Sequence, residues 1–406
     1  MFNRREFLRT SSLISLAPTI PGFLAHTARA AESTRDGRIL VVIQLDGGND
    51  GINTVVPYAD EGYAKCRDAL RLPADRLHKI TKQVGLHPAM GAAAKLFESE
   101  RFAVVQGVGY PNPSRSHFKS MAIWHSANVD LPKEEDKDAQ SNATLGWIGQ
   151  ALDEGSKPAD GSSGAMFVGS GAMPGALRSR RSVATAMTRP EDSVLTMMSK
   201  PRSATSEESN RGDLASFVQR STLDAYASSE RMAKVLAAPD KGLSYPATGI
   251  SGRLRTIAQI IKGGAGTRVY YTSQGAYDTH AVQLDHHSRL LRELADGMKA
   301  FVDDLTAAKM ADRVLVMCFS EFGRRANENG SQGTDHGSAG PVLLAGPGVR
   351  AGVVGETPKL LDLVDGDLKV TVDFRQVYAS VLEDWLGLPS EPVLGKAFVK
   401  LPLFRN

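Results

Sequence analysis

The sequence predicts an α/β protein in which helices cover both faces of a mostly parallel central sheet. Three observations support this class: short apolar runs without alternation, helical periodicity between them, and a globular composition with 42% hydrophobic and 23% charged residues. Strands buried on both faces are continuously apolar because neither face meets water. The composition excludes collagen-like, disulfide-rich and disordered proteins.

Residues 1–30 have the pattern of an export signal. Arg4 and Arg5 precede a mildly apolar run, and Ala28 and Ala30 supply the small-x-small site that signal peptidase requires. The pattern resembles a twin-arginine signal, which predicts cleavage after Ala30 and delivery of the folded protein by the Tat translocase to the periplasm or the extracellular space. The run is shorter than the roughly 18 apolar residues of a membrane helix, so we expect no span in the mature protein.

The net charge lies wholly in this signal segment. The chain carries 48 Lys and Arg against 45 Asp and Glu, a formal charge of +3. Residues 1–30 hold four arginines and one glutamate, so 44 basic and 44 acidic residues remain in the body. A neutral body without a nucleic-acid motif predicts no nucleic-acid partner, and any attraction of an anionic substrate must be local.

The body is predicted to be a single domain over residues 31–406. Its apolar runs predict strands at residues 39–45, 102–106, 268–271, 314–319 and 341–345. Apolar residues at helical spacing predict helices over 290–305 and 374–385. The stretch from about 130 to 246 is polar, with short and scattered apolar runs, and is predicted to be an insertion or cap with mobile loops.

Carboxylates and imidazoles gather at the ends of these strands. In an open parallel sheet this edge is where ligands bind, and such side chains are the usual ligands of Zn²⁺, Mn²⁺ or Ca²⁺. Acidic residues after strands are often helix caps or turn formers, but caps do not require two histidines and a glutamate at successive strand ends. The sequence therefore predicts a site for one or two divalent metals, with the candidate ligands Asp46, Asp278, His280, Glu321, Asp335 and His336.

A second group of candidates lies where the loop after residue 106 becomes a helix. Ser114 and Ser116 are hydroxyls near a helix N-terminus, where free N–H groups and the helix dipole favour anions and alkoxides. Arg115 between them can form a forked contact with phosphate or sulfate. Either serine can instead be a simple N-cap. The functional interpretation is a nucleophilic serine beside a metal, with Ser116 favoured over Ser114.

The order of these motifs resembles the alkaline phosphatase and sulfatase superfamily. The pieces that carry the resemblance are Leu45–Gly51, Ser114–Phe118, Asp278–His280, Phe319–Arg324 and Gly333–Gly337. Together with the export signal, they are similar to the exported bacterial family called domain of unknown function 1501. The resemblance implies a three-layer alkaline-phosphatase-like sandwich and a metal-dependent hydrolase of phosphate or sulfate esters, acting on an anionic ester substrate.

Two departures from the superfamily pattern keep other functions open. Pro111 occupies the position of the sulfatase Cys or Ser, and Glu321-Phe322-Gly323 replaces the Asp-His-Gly of phosphatases and mutases. These changes favour, as the alternative, a non-catalytic exported binding or assembly protein with a degenerate site. A metal-dependent isomerase or mutase is a third possibility.

Overall fold

A mixed sheet of nine strands forms the centre of the computed structural model, which describes residues 37–131, 144–155, 164–182, 184–188, 234–237 and 242–405. The described strands are β1 (Ile39–Leu45), β2 (Val55–Val56), β3 (His78–Lys79), β4 (Gly85–Leu86), β5 (Phe102–Gly109), β6 (Ala165–Val168), β7 (Ala184–Met187), β8 (Val269–Gln274), β9 (Val314–Ser320), β10 (Gly340–Ala345), β11 (Gly352–Val354) and β12 (Val372–Asp373). The central sheet has the order β11-β5-β10-β9-β1-β8-β6-β7, with β12 also paired to β5, and β2, β4 and β3 form a small second sheet. All five predicted strands are therefore confirmed.

Strand direction decides which residues meet at the edge of the sheet. β1 is parallel to β8 and β9, and its last residue, Leu45, lies opposite Gln274 and Ser320, so the residues that follow these three strands emerge side by side. β10 is antiparallel to both of its neighbours, β9 and β5. The sequence pattern predicted a strand that runs parallel to the others. Its reversal brings the residues that precede β10 to the same edge.

Helices cover both faces of the central sheet, as predicted. The described α-helices are α1 (Gly51–Thr54), α2 (Glu61–Cys66), α3 (Gly91–Glu98), α4 (His117–Ser126), α5 (Trp147–Glu154), α6 (Gly249–Lys262), α7 (Gln283–Ala307), α8 (Phe374–Ser380) and α9 (Glu391–Leu394). A π-helical turn at Val381–Leu386 continues α8, and short 3-10 helices lie at Pro88–Met90, Gly175–Leu177 and Ala311–Arg313.

The two faces of β1 show why this strand is continuously apolar. Val41 and Ile43 pack against α3, α6 and α7 on one side, whereas Leu40 and Val42 pack against α4, α5 and α8 on the other. Every residue of β1 is buried. Burial of each such aliphatic side chain contributes about 1.5–3 kcal/mol, so both faces stabilise the sheet. The result is a three-layer α/β/α arrangement with β1 at its centre.

Parts of the 130–246 stretch belong to the sheet itself. β6 and β7 extend the central sheet beyond β8, and α5 packs on one face. The rest of that stretch lies largely outside the described residues, and the predicted export signal at residues 1–30 lies wholly outside them. Within the described residues, no helix combines the length and the apolar character needed to cross a bilayer.

Candidate metal centre

The cluster at the carboxyl edge of the sheet is built from four segments of the chain. Asp278 and His280 follow β8, and Glu321 follows β9. His336 precedes the reversed strand β10, and His117 is the first residue of α4, in the loop that leaves β5. Residues far apart in sequence thus meet because their strands end together. We call His117, Asp278, His280 and His336 the edge cluster.

The three imidazoles of the edge cluster share one orientation. Each ring directs Nδ1 toward an oxygen outside the cluster and Nε2 toward Asp278. The outer partners are a carboxylate oxygen of Glu321 for His117 (2.8 Å), the backbone carbonyl of Arg115 for His336 (2.9 Å) and a carboxylate oxygen of Asp335 for His280 (3.4 Å). A carbonyl or a carboxylate only accepts, so a proton on Nδ1 satisfies each outer contact and leaves the lone pair of Nε2 free for a metal.

The Nε2 atoms converge on the Asp278 carboxylate. His117 Nε2 lies 3.5 Å from Oδ2, and the Nε2 atoms of His280 and His336 lie 3.0 Å and 3.1 Å from Oδ1. These last two nitrogens are 3.0 Å apart. At that distance either one nitrogen donates a proton to the other, or both lone pairs face a cation. Donor atoms of His117, Asp278 and His336 fall within 4.8 Å of one another, a set that fits a divalent ion with imidazole ligands.

Glu321 contacts the edge cluster through the outer nitrogen of His117, Nδ1. Its side chain is 2% exposed, and its two oxygens accept from His117, from the Gly47 N–H (2.9 Å) and from the Ser320 hydroxyl (2.8 Å). Burial alone would raise its pKa, but the hydrogen bonds from His117, Ser320 and Gly47 outweigh it and lower the pKa. The hydrogen bond with Glu321 in turn raises the pKa of His117. The sequence predicted Glu321 as a ligand, and the structure places it as the group that orients His117.

Asp278 is held by a buried arginine. Arg324 Nη2 donates to Asp278 Oδ1 over 2.7 Å, and the arginine side chain is fully buried while that of Asp278 is half-exposed. Partial burial raises the pKa of Asp278, but the hydrogen bond and positive charge of Arg324 overcome this effect and lower the pKa to about 2. The carboxylate is therefore ionised throughout the neutral range, as a metal ligand must be.

Asp46 lies beside the edge cluster in an open cleft of about 350 Å³, which Phe118 and Met121 also line. Its side chain accepts a hydrogen bond from Gln44. Burial raises its pKa, and the nearby negative charge of Glu321 adds to the effect. Phe118 is 90% exposed at the rim of the cleft. Asp46 is thus a carboxyl group that holds its proton more readily than an ordinary aspartate.

Asp335 lies at the periphery of the cluster. Its Oδ1 accepts from Asn329 Nδ2 over 3.1 Å, and this contact, followed by one with His280, lowers its pKa. The side chain is largely exposed. Asp335 therefore supports His280 and has no direct contact with Asp278 among the interactions of the described residues.

The predicted nucleophile segment lies next to the cluster, but its side chains are engaged elsewhere. The Ser116 hydroxyl caps α4 by accepting from Lys119 N over 3.5 Å, and the Ser114 hydroxyl accepts from Ser116 N over 3.2 Å. The Arg115 guanidinium forms an ion pair with Asp367 at 2.6 Å. Within the described part of the chain, neither hydroxyl forms a hydrogen bond with the edge cluster.

Two residues of the site were not among the predicted site residues. His117 lay inside the quoted Ser114–Phe118 motif, and its position after a strand that ends at the common edge is the signal that could have identified it. Arg324 follows β9 by four residues, where an arginine usually faces solvent. No local signal reveals its burial, because three separate loops close over it.

Solved structures similar to this chain are found at low sequence identity. The C-terminal periplasmic domain of EcEptC from Escherichia coli, in complex with Zn, is 11% identical with a TM-score of 0.41, covering 91% of this chain and 88% of that chain. The PsFucS1 sulfatase from Pseudoalteromonas sp. is 10% identical with a TM-score of 0.35, covering 91% and 70%. The alkaline phosphatase from the Antarctic bacterium TAB5 is 11% identical with a TM-score of 0.31, covering 77% and 92%. A comparison with curated proteins found no match.

One family profile matches most of the chain. It aligns with residues 38–394, a range that contains every described helix and strand, and its description is "Protein of unknown function (DUF1501)". The motifs between Leu45 and Gly337, which carried the resemblance in the sequence, all lie inside the match. The chain therefore belongs to the DUF1501 family of proteins of unknown function.

Proposed function

We propose that this protein is a metal-dependent hydrolase of phosphate or sulfate esters. The observation that carries the proposal is the convergence of three imidazole Nε2 atoms on the Asp278 carboxylate, beside an open cleft at the ligand-binding edge of the sheet. The motif resemblance to phosphatases and sulfatases supports the choice of substrate. Because imidazole nitrogen suits zinc or manganese better than calcium, we expect one of the first two metals.

Each group of the site has a role in this proposal. A divalent metal, when bound, supplies Lewis acidity toward an ester oxygen. His117, Asp278 and His336 would hold the metal, and Glu321 keeps the lone pair of His117 directed toward it. Asp46, with its raised pKa, faces the cleft and can deliver a proton to the leaving oxygen. Ser116 remains the proposed nucleophile, and the Lys119 N–H that its oxygen accepts can also stabilise an alkoxide there.

The test combines metal content with hydrolysis. The mature chain, purified without chelator, is analysed for metals and assayed with 4-nitrophenyl phosphate, bis(4-nitrophenyl) phosphate and 4-nitrophenyl sulfate in added Zn²⁺ or Mn²⁺. We expect bound metal and activity on at least one ester, and the loss of both in Asp278→Asn. His78→Ala removes a histidine that contacts only the Pro88 carbonyl among its described hydrogen bonds and serves as the control. A chain without metal and without activity on all three esters would falsify the proposal.

A second candidate, a non-catalytic exported binding protein, is favoured by a specific observation. The Ser116 hydroxyl is used as an N-cap, and the Arg115 guanidinium is used by Asp367, so the groups expected to attack and to neutralise charge are both engaged. This candidate predicts that Ser116→Ala leaves any biological phenotype unchanged while a stable partner co-purifies. The hydrolase instead predicts loss of turnover in Ser116→Ala with metal content retained.

Export through the Tat translocase is part of the proposal and rests on the sequence of residues 1–30. It places the mature protein in the periplasm or outside the cell, where phosphate and sulfate esters arrive from the environment.

A further inference from the structure

The Arg324 side chain lies against Asp278 Oδ1, the same oxygen that His280 and His336 approach. Its guanidinium donates to five oxygens: the carbonyls of Gly47, Gly48 (2.6 Å), Tyr277 (3.1 Å) and Thr334 (2.7 Å), and Asp278 Oδ1 (2.7 Å). The side chain is fully buried. With every partner fixed by backbone or by the edge cluster, this cation cannot swing away to admit an ion.

The two oxygens of Asp278 consequently have different surroundings. Oδ1 accepts from Arg324 and lies near the Nε2 atoms of His280 and His336, whereas Oδ2 has His117 Nε2 as its nearest cluster partner at 3.5 Å. A carboxylate that bridges two metals must offer one oxygen to each. Here a permanent positive charge already sits against Oδ1, so a second divalent ion there would meet a buried guanidinium at close range.

We propose that the site holds one divalent metal and that Arg324 takes the place of a second. This inference rests on the proposed function and adds the number of metal ions to it. His117, His336 and Asp278 hold the ion, because they are the donors whose atoms fall within 4.8 Å of one another. Arg324 is a positioning residue: it fixes the rotation of the Asp278 carboxylate and supplies a positive charge that needs no ion to be present.

The positions of Asp278 and His280 indicate which donor atoms a second ion would use if the guanidinium were absent. Asp278 Oδ1 would be released, His280 Nε2 already lies 3.0 Å from it, and Asp335 stands behind His280 at 3.4 Å. Replacement of the arginine by a neutral side chain therefore opens a second acidic site beside the first. Replacement by lysine keeps a charge there and keeps the site closed.

The experiment counts zinc ions per chain. Wild type, Arg324→Lys and Arg324→Gln are each saturated with Zn²⁺, desalted and analysed for bound metal, with circular dichroism to confirm the fold. We expect one ion in wild type and in Arg324→Lys, and two ions in Arg324→Gln. Additional loss of His280, in the Arg324→Gln/His280→Ala double variant, should return the count to one.

The outcomes separate this inference from the proposed function. Two ions in the wild type overturn the inference and leave the hydrolase proposal standing, whereas no bound ion overturns both. A folded Arg324→Gln chain that still holds one ion also overturns the inference, because the guanidinium would then not be what excludes the second. If Arg324→Gln fails to fold, the wild-type count at saturating zinc and the Arg324→Lys count still decide the question.

Discussion

At the scale of single residues, the hydrogen bond on Nδ1 of each histidine decides what its other nitrogen can do. Glu321 and the Arg115 carbonyl hold His117 and His336 from behind, and so they determine which nitrogen faces Asp278. Such outer partners raise ligand basicity and restrict ring rotation. The affinity of the cluster for the proposed metal would therefore depend on groups that do not contact the ion.

The first prediction concerns Glu321. In Glu321→Gln the negative charge behind His117 is lost, and we expect zinc affinity to fall about 10–100-fold, the usual effect of removing an outer partner. Competition with a chromogenic chelator measures the dissociation constant. Glu356→Gln, on an exposed loop, is the control. Complete loss of zinc, equal to that in Asp278→Asn, would show instead that Glu321 is itself a ligand.

The second prediction concerns the close contact at Gly47. Its φ is +116°, and a Cβ there would lie 2.4 Å from the backbone nitrogen of Asp278. Gly47→Ala should therefore cost more than the roughly 1–3 kcal/mol of backbone strain alone, and it should also weaken zinc binding because the Asp278 loop must move. Gly171 has a φ of +104° and no atom within 4 Å of its Cβ position. Gly171→Ala is therefore the control that shows the cost of backbone strain without a steric clash. Equal losses of unfolding free energy in the two variants would contradict the steric argument.

The residues of the site differ in how far the sequence could reveal them. Asp278, His280, Glu321 and His336 were identifiable because each adjoins an apolar run, and the ends of such runs meet at one edge. The structure brings these four together around His117. Ligand and outer partner could not be separated in advance, because that distinction depends on which oxygen faces which ring nitrogen. Arg324 could not be found, since its partners come from the loops after β1 and β8 and before β10.

At the scale of elements, the first turn of α7 joins the loops that carry the cluster. Gln283 is buried, and its Oε1 accepts from the hydroxyls of Thr279 (2.9 Å) and Thr334 (2.6 Å) while its Nε2 donates to Asp50 Oδ2 (2.5 Å). One side chain thus connects the loop of Asp278 and His280 to the loop of His336. The backbone bond from Thr334 N to the Thr279 carbonyl, at 3.2 Å, reinforces the connection.

The third prediction tests this connection. Gln283→Met keeps the volume but leaves the hydroxyls of Thr279 and Thr334 without their buried partner, whereas Asp50 Oδ2 retains its hydrogen bond from Arg67. We expect a loss of about 1–3 kcal/mol of unfolding free energy for each group left unpaired, measured by urea denaturation. Gln83→Met, at an exposed position, should lie within about 0.5 kcal/mol of wild type. An unchanged stability in Gln283→Met would mean that water or neighbours replace these bonds fully.

The elements also mark where prediction from sequence ends. An apolar run indicates that a strand is buried, but it does not indicate the direction of the strand in the sheet. The antiparallel orientation of β10 therefore could not be predicted from the sequence. β6 and β7 have four residues each and only part of β7 is buried, which is too short for a periodic pattern. The long helix α7, by contrast, repeats its apolar positions from Leu290 to Leu305, and the sequence predicted a helix over that range.

At the scale of the whole molecule, a buried ion pair makes stability depend on pH. Asp50 and Arg67 are both fully buried and 2.6 Å apart. Burial raises the pKa of Asp50, but the charge and hydrogen bonds of Arg67 prevail and lower it below its ordinary value of 3.8. As the pH falls, Asp50 is therefore protonated in the unfolded chain before it is protonated in the folded protein. The ion pair contributes its full stability above pH 3.8 and loses it as the pH falls through the lowered pKa.

The fourth prediction follows from this sign. The unfolding free energy of the wild type should fall with decreasing pH below 3.8, and Asp50→Asn should show a shallower slope in that window. The variant should also be less stable by about 3–5 kcal/mol at neutral pH, because Arg67 is left buried without its partner. Chemical denaturation at a series of pH values provides both quantities. If the unfolding free energies of the two proteins fell equally with pH below 3.8, Asp50 would not be the cause of the pH dependence.

The fifth prediction concerns the destination of the molecule. In a host with a Tat system, replacement of Arg4 and Arg5 by lysine should leave the full-length precursor in the cytoplasm, whereas wild type should appear in the periplasm without residues 1–30. Cell fractionation with mass spectrometry of the N-terminus makes the measurement. Arg29→Lys, which keeps the arginine pair, is the control. Export of the double variant at the wild-type level would rule out the twin-arginine route.

The position of β1 has a consequence for how the chain acquires its fold. β1 is the first described strand to be synthesised, yet it lies at the centre of the sheet, between β8 and β9. Its neighbour β8 ends at Gln274 and its neighbour β9 ends at Ser320, so Ile39–Leu45 has no partner strand until β8 is synthesised and only one until β9 follows. Contacts so distant in sequence make folding slow, and an unpaired apolar strand invites aggregation in the meantime. A nascent chain of this protein therefore depends on being kept apart from its copies until its last third has emerged.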